Sequence, residues 1–171
     1  MNIALKDNQG DANPVSRERG IQEPMWHPHW EPFWQAVDEV QLPPQFHSFP
    51  TNPPEAPPVR RAAMFTGVLA FRMGIIHIIA GMMGAGVSER YPRLRVSFDE
   101  SGAGWLAYVL HRIDFEFEDR FRDLMKLRPS EYWHRQCKAT FQFDPISAKL
   151  IDDIGVETMT CGSDYLHTDG I

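Results

Sequence analysis

The chain has 171 residues, 43% of them hydrophobic and 23% charged. That is enough apolar material for one packed domain and excludes an intrinsically disordered chain. A formal net charge of −6, with no basic stripe or run of like charge, argues against nucleic acid as a partner.

The first residues, MNIALKDNQGDANP, lack the apolar core of a signal peptide. Residues 1–20 are polar and punctuated by Gly and Pro, so they read as a loose N-terminal segment ahead of a domain over 21–171. A strand stub is expected at Gly20-Ile21-Gln22. In the loop that follows, His27-Pro28-His29 superficially looks like a metal-binding pair. Pro28 removes the backbone donor that an inner strand needs, so these residues read as loop.

A helix is expected over 31–40. Pro32 suits its first turn, and Phe33, Ala36, Val37 and Val40 share one face. Residues 42–47 read as a short strand, confined by Pro43 and Pro44 to Gln45-Phe46-His47. Pro50, Pro53, Pro54, Pro57 and Pro58 make 48–58 a stiff loop, either an inter-domain linker or, as its place directly after His47 favours, a loop over an active site.

Residues 59–88 read as helix, with a break among Gly67, Gly74, Gly81, Gly84 and Gly86. The apolar run 73–87 is shorter than the roughly 20 residues a spanning helix needs, and it contains His77. It therefore reads as a buried helix and not as a membrane segment. Residues 93–99 form a strand with Val96 and Phe98 on one face. Residues 104–126 form the clearest helix, with Leu106, Val109, Leu110, Ile113, Phe117, Phe121 and Leu124 at helical spacing. A short helix begins at Pro129-Ser130, and 140–143 is strand-like. Residues 146–154 are helix, and 157–161 a last strand running into Gly162-Ser163-Asp164. His77, His111 and His134 fall in helices and read as structural or exposed.

Strand–helix alternation implies a parallel sheet with right-handed crossovers. No Gly-rich phosphate loop follows a strand, which weighs against a nucleotide-binding sheet. Polar residues gather where strands end. In barrel enzymes that edge carries the chemistry. His47 there can ligate a divalent ion, although taken alone it is better explained as a hydrogen-bonded surface histidine. Asp99 and Glu100 end another strand, and they serve equally well as caps of the next helix or as site carboxylates. Asp164 can bind metal or take a proton from water, or can form a plain Asx turn, and His167 is placed to orient it or to touch substrate. Cys137 and Cys161 form no CxxC and fit buried thiols in a reducing, cytoplasmic compartment. Cys161 is too isolated to read as a nucleophile.

Several motifs, in order, resemble those of the amidohydrolase-related metal-dependent hydrolases, a group that includes aminocarboxymuconate-semialdehyde decarboxylase. They are Trp30-Glu31-Pro32-Phe33-Trp34, Pro44-Gln45-Phe46-His47, Glu89-Arg90-Tyr91-Pro92-Arg93-Leu94-Arg95-Val96, Glu100-Ser101-Gly102-Ala103-Gly104-Trp105, Pro129-Ser130-Glu131-Tyr132 and Gly162-Ser163-Asp164-Tyr165. The resemblance implies an α/β fold, a partial (β/α)8 TIM barrel running from about the fourth or fifth strand to the eighth. It implies a divalent metal, Zn2+ or Mn2+, with His47 and Asp164 as ligands from the fifth and eighth strands. It implies catalytic roles for Asp164 and Glu100, with His167 and Trp105 around the substrate.

Glu100 stands where the decarboxylases of this group carry a catalytic histidine, so their chemistry does not transfer directly. The first-strand His-x-His pair has no counterpart, which leaves the expected metal site incomplete. The expected function is therefore the C-terminal portion of a metal-dependent hydrolase acting on a small molecule. The alternatives are a nonoxidative decarboxylase of an unsaturated or aromatic carboxylic acid, and an inert fragment or assembly module. A half barrel exposes a sheet edge, so poor solubility alone, self-association or pairing with a missing N-terminal half is expected.

Overall fold

The computed structural model describes residues 2–5, 23–48 and 57–167. Five strands form one sheet in the order of the sequence: β1 (Asn2–Leu5), β2 (Gln45–Ser48), β3 (Val96–Phe98), β4 (Cys137–Phe141) and β5 (Met159–Cys161). Each pairs parallel to the next, with Phe46 beside Phe98 and Phe98 beside Ala139. Helices fill the crossovers: α1 (Glu31–Val40), α2 (Pro57–Gly84), α3 (Val87–Arg90), α4 (Leu106–Glu116), α5 (Pro129–Gln136), α6 (Pro145–Lys149) and α7 (Ile151–Ile154). This is part of a (β/α) barrel, as expected.

Alternation along the strands separates two faces. Phe46, Val96, Phe98, Cys137 and Ala139 are buried beneath the helices. His47, Ser97, Asp99, Lys138, Thr140 and Thr160 point to the opposite, polar face. On the buried side an aromatic row runs from helix to helix across the sheet. Trp34, Phe46, Phe98 and Trp133 follow one another with ring centroids 6.2, 5.5 and 5.9 Å apart, and all four are fully buried.

Several elements depart from the sequence reading. β1 lies inside the segment read as loose, because a four-residue run flanked by polar residues carries too little pattern to stand out. Gly20-Ile21-Gln22 and the loop 49–56 lie outside the described residues. The buried face of α1 is centred on Trp34 and Val37, with Ala36 and Val40 exposed. Trp34 sets that rotation, because its indole N–H donates to the Met25 carbonyl at 3.0 Å while its ring packs towards Phe46.

The break in the long glycine-notched helix falls at Ala85-Gly86, where Gly86 takes φ 73°. α2 is longer than the apolar run read from sequence. Its segment Phe65–Gly84 is long and apolar enough to cross a membrane by length and composition alone. One face of it, Ile75, Ile78, Ile79, Met82 and Met83, is buried in the core. α4 ends at Glu116 and runs into a single π turn, Phe117–Phe121, leaving Phe121 and Leu124 exposed. β4 begins at Cys137, directly after α5, with no turn residue to announce it.

Candidate metal centre

Because every strand pair is parallel, all strands end on one edge of the sheet. His47 lies at the end of β2, Glu100 two residues past β3, and Asp164 and His167 just past β5. Strands β3 and β5 are separated by β4, about 10 Å across a flat sheet. Even so, ligand atoms of Glu100, Asp164 and His167 all lie within 4.8 Å of one another. The loops therefore curl inward over the polar face.

His47 Nε2 lies 2.7 Å from Glu100 Oε2. His167 Nδ1 lies 2.9 Å from Asp164 Oδ2, and the His167 amide donates to the Asp164 carbonyl at 2.9 Å. Glu100, Asp164 and Leu166 all have left-handed backbone, with φ 52°, 51° and 80°. Such geometry in non-glycine residues is held against its own cost, and it gathers at functional sites.

The Glu100 loop is braced from three sides. The fully buried Ser101 hydroxyl reaches the Phe98 and Gly102 carbonyls. Trp105 turns its indole N–H to the Ser101 carbonyl at 2.9 Å and packs against the core, which makes it an anchor of this loop. Asp144, at the end of β4, accepts the backbone N–H groups of Ala103 and Gly104 at 2.8 and 2.7 Å through Oδ2, and caps α6 through Oδ1. Burial pushes the Asp144 carboxyl pKa up, but these backbone donors outweigh it and hold the pKa below the usual value. Sequence reasoning missed Asp144, although Asp followed by Pro145 after a strand is a helix-start signal.

Beneath the site runs a polar ladder. Asp99 Oδ1 accepts from the Ser97 and Thr140 hydroxyls at 2.6 and 3.0 Å, and the Thr140 and Thr160 hydroxyls lie 3.0 Å apart. Asp99 thus points into the sheet's polar face, and Glu100 is the carboxylate that reaches the cluster. A groove in the helical layer, lined by Tyr108, His111, Asp114 and His134, shares no residue with this cluster.

The donor set fits a divalent ion. Two carboxylates and imidazole nitrogen are ligands for Zn2+ or Mn2+. Two donors on one tetrahedral ion sit about 3.4 Å apart, against separations of up to 4.8 Å here. Asp164 Oδ2 is itself shut off from solvent and faces the His167 imidazole nitrogen at 2.9 Å. A carboxylate oxygen and an imidazole nitrogen so placed are donors that a cation between them could share.

No protein-family model matches the sequence, and neither does any curated protein. Solved structures do match the fold. An amidohydrolase from Mycobacterium avium subsp. paratuberculosis aligns with 87% of this chain and 39% of its own, at 21% identity and a TM-score of 0.68. A dihydroxybenzoic acid decarboxylase from Polaromonas sp. JS666, solved with bound manganese and 2-nitroresorcinol, aligns with 88% of this chain and 47% of its own, at 19% identity and a TM-score of 0.64. A 5-carboxyvanillate decarboxylase from Novosphingobium aromaticivorans, complexed with manganese and 4-hydroxy-3-methoxy-5-nitrobenzoic acid, aligns with 84% and 44%, at 19% identity and a TM-score of 0.60. The chain shares the barrel fold of these proteins and spans less than half the length of each.

Proposed function

We propose that this chain is the metal-holding C-terminal part of a barrel hydrolase that activates water for attack on a small carbonyl substrate. The convergence of two carboxylates and two imidazoles from three strand ends carries this reading. A divalent ion, when bound, supplies Lewis acidity and lowers the pKa of water. Asp164 is the residue that would hold it, through its carboxylate beside the His167 ring. The His47–Glu100 pair is a carboxylate–imidazole couple. Glu100 Oε2 fixes the ring by accepting from Nε2, so His47 is oriented to carry a proton between water and leaving group. The braced Glu100 loop keeps that couple in place.

Glu100 stands where the decarboxylases of the resembled group carry a catalytic histidine, which favours hydrolysis over decarboxylation. The second reading is a carboxy-lyase, favoured by the two manganese-bound decarboxylases that share the fold.

The test is a panel of esters, amides, lactones and aromatic acids, assayed with the chain loaded with Mn2+ or Zn2+. The expected result is hydrolysis without CO2 release, reduced at least about 100-fold by Glu100→Gln. CO2 release from an aromatic acid would move the assignment to the second reading. Turnover that ignores metal would end both.

A further inference from the structure

We infer that the outward face of α2 is a dimerisation surface, covered by the same face of a second copy of this chain in an antiparallel, two-fold pair.

Ala62, Phe65, Leu69, Met73, Ile76 and Ala80 recur at intervals of three and four residues, the period of a straight helix. They line one face of α2 over about 27 Å. Phe65, Leu69 and Met73 are 77, 67 and 55% exposed, Ala62 and Ala80 are exposed as well, and Ile76 is half-buried. Ile75, Ile78, Ile79 and Met82, on the other side of the helix, already hold α2 in the core. Apolar surface this continuous, left in water, marks a contact.

Two other occupants fit less well. Strands that complete a barrel add at the edges of the sheet, beside β1 and β5, whereas α2 connects the inner strands β2 and β3. Barrel closure therefore leaves this face in solvent. Helices that lie on a lipid surface carry Lys and Arg on their polar face. From 62 to 84 the sequence offers Arg72 as its one charged residue, and the net charge of −6 repels anionic lipid.

The face is complementary to itself. A two-fold axis near residue 71 sets Ala62 opposite the partner's Ala80 and Leu69 opposite the partner's Met73. Small residues at the ends let the backbones approach, and the large ones interdigitate between them. Phe65, Leu69 and Met73 present on the order of 400 Å2. Two copies, with Ile76 and the alanines, then bury roughly 1,000 Å2, the lower bound for a specific dimer.

The test is sedimentation equilibrium of the purified chain over a dilution series. The expected species has twice the 19.7 kDa chain mass and dissociates on dilution. Leu69→Glu and Met73→Lys should each weaken the dimer at least about 100-fold, because each forces an unpaired charge into an apolar contact. Both positions are exposed, so circular dichroism should match the parent. Mixing the two variants should restore the dimer, because antiparallel pairing puts the new carboxylate opposite the new ammonium and leaves Leu69 against Met73 on the other side. A parent that is monomeric at every concentration would overturn the inference. So would a dimer that survives Leu69→Glu, which would move the interface to the open sheet edge. A mixture that stays monomeric while both variants keep the parent spectrum would overturn the antiparallel pairing. A monomer that co-sediments with phosphatidylcholine–phosphatidylserine vesicles, and loses this with Leu69→Glu, would assign the face to lipid instead.

Discussion

Asp144 holds the backbone N–H of Gly104 at 2.7 Å across two adjacent strand ends. The same oxygen takes Ala103 N–H at 2.8 Å, so one carboxylate ties the Glu100 loop to the start of α6. Gly102, in that loop, needs φ 63°, and a Cβ on Gly104 would approach Asp144 Oδ1 to 3.1 Å. The loop is glycine-rich because its backbone must come this close to a carboxylate.

Asp144→Ala removes the acceptor and leaves three backbone donors without it. A loss of about 2–4 kcal/mol is expected, since hydrogen bonds to a charged group contribute about 1.5–3 kcal/mol each and are not additive. Urea unfolding measures it. Because the folded carboxyl titrates below its usual value, its contribution is present above the unfolded pKa and declines as pH falls through the folded one. Asp144→Asn should flatten that acid dependence and loosen metal binding together. A variant as stable as the parent at pH 7 would show that the loop is held by other contacts.

Much of the fold was readable because single residues announce it. Pro32 begins α1, Pro129 begins α5, and the alternation of Val96 and Phe98 marks β3. β1 and the first residues of β4 were missed for physical reasons. Four residues hold too little alternation, and Cys137-Lys138-Ala139 follows a helix with no turn between. Of the site, His47, Glu100, Asp164 and His167 are visible at strand ends. Their mutual arrangement is not visible, because it depends on how far two loops curl over the sheet. Most of the other motif residues serve the scaffold. Glu31 takes Arg90 in a two-pronged pair at 2.9 and 2.8 Å and the Tyr91 hydroxyl at 2.9 Å, clamping α1 to α3. Ser130 binds Asp114, and Glu131 caps α5 through Arg128 N–H.

The Glu89 carboxylate accepts the Tyr132 hydroxyl at 2.7 Å and pairs with Lys126 Nζ at 2.9 Å. The Tyr132 hydrogen bond, then the Lys126 contacts, lower its pKa from 4.5 to about 2. A depressed folded pKa means stability present above about pH 4.5 and lost as pH falls toward 2. Thermal unfolding from pH 6 to pH 2 should therefore show a steeper acid decline in the parent than in Glu89→Gln. Tyr132→Phe should shift the Glu89 titration upward, as followed by carboxyl NMR. Superimposable Tm–pH curves for parent and Glu89→Gln would contradict this.

Phe98 sits between Phe46 and Trp133, at 5.5 and 5.9 Å, in the middle of the aromatic row. It is fully buried on the central strand. Phe98→Ala should cost about 3–5 kcal/mol through lost burial and the cavity left behind. Phe98→Leu should recover more than half of that, since it refills most of the volume. Denaturant midpoints at constant slope provide the comparison. A loss below about 1 kcal/mol for Phe98→Ala would mean that the row closes over the gap.

Gly81 in α2 faces Trp26 so closely that an added Cβ would lie 2.2 Å from the indole ring. Alanine is the better helix former by about 1 kcal/mol, so an open site would gain from Gly81→Ala. Gly74 meets nothing within 4 Å and is the matched control. The Trp26 ring is partly buried and packs against the core, so it moves only by disturbing Met25 and the start of α1. Overpacking costs about 1–3 kcal/mol. Gly81→Ala should therefore destabilise the chain by about 1–2 kcal/mol net while Gly74→Ala is neutral or stabilising, with both read from thermal unfolding. Trp26→Ala in the Gly81→Ala background should remove most of the penalty specific to Gly81. If the two glycine variants unfold at the same temperature, helix α2 does not depend on close approach to Trp26.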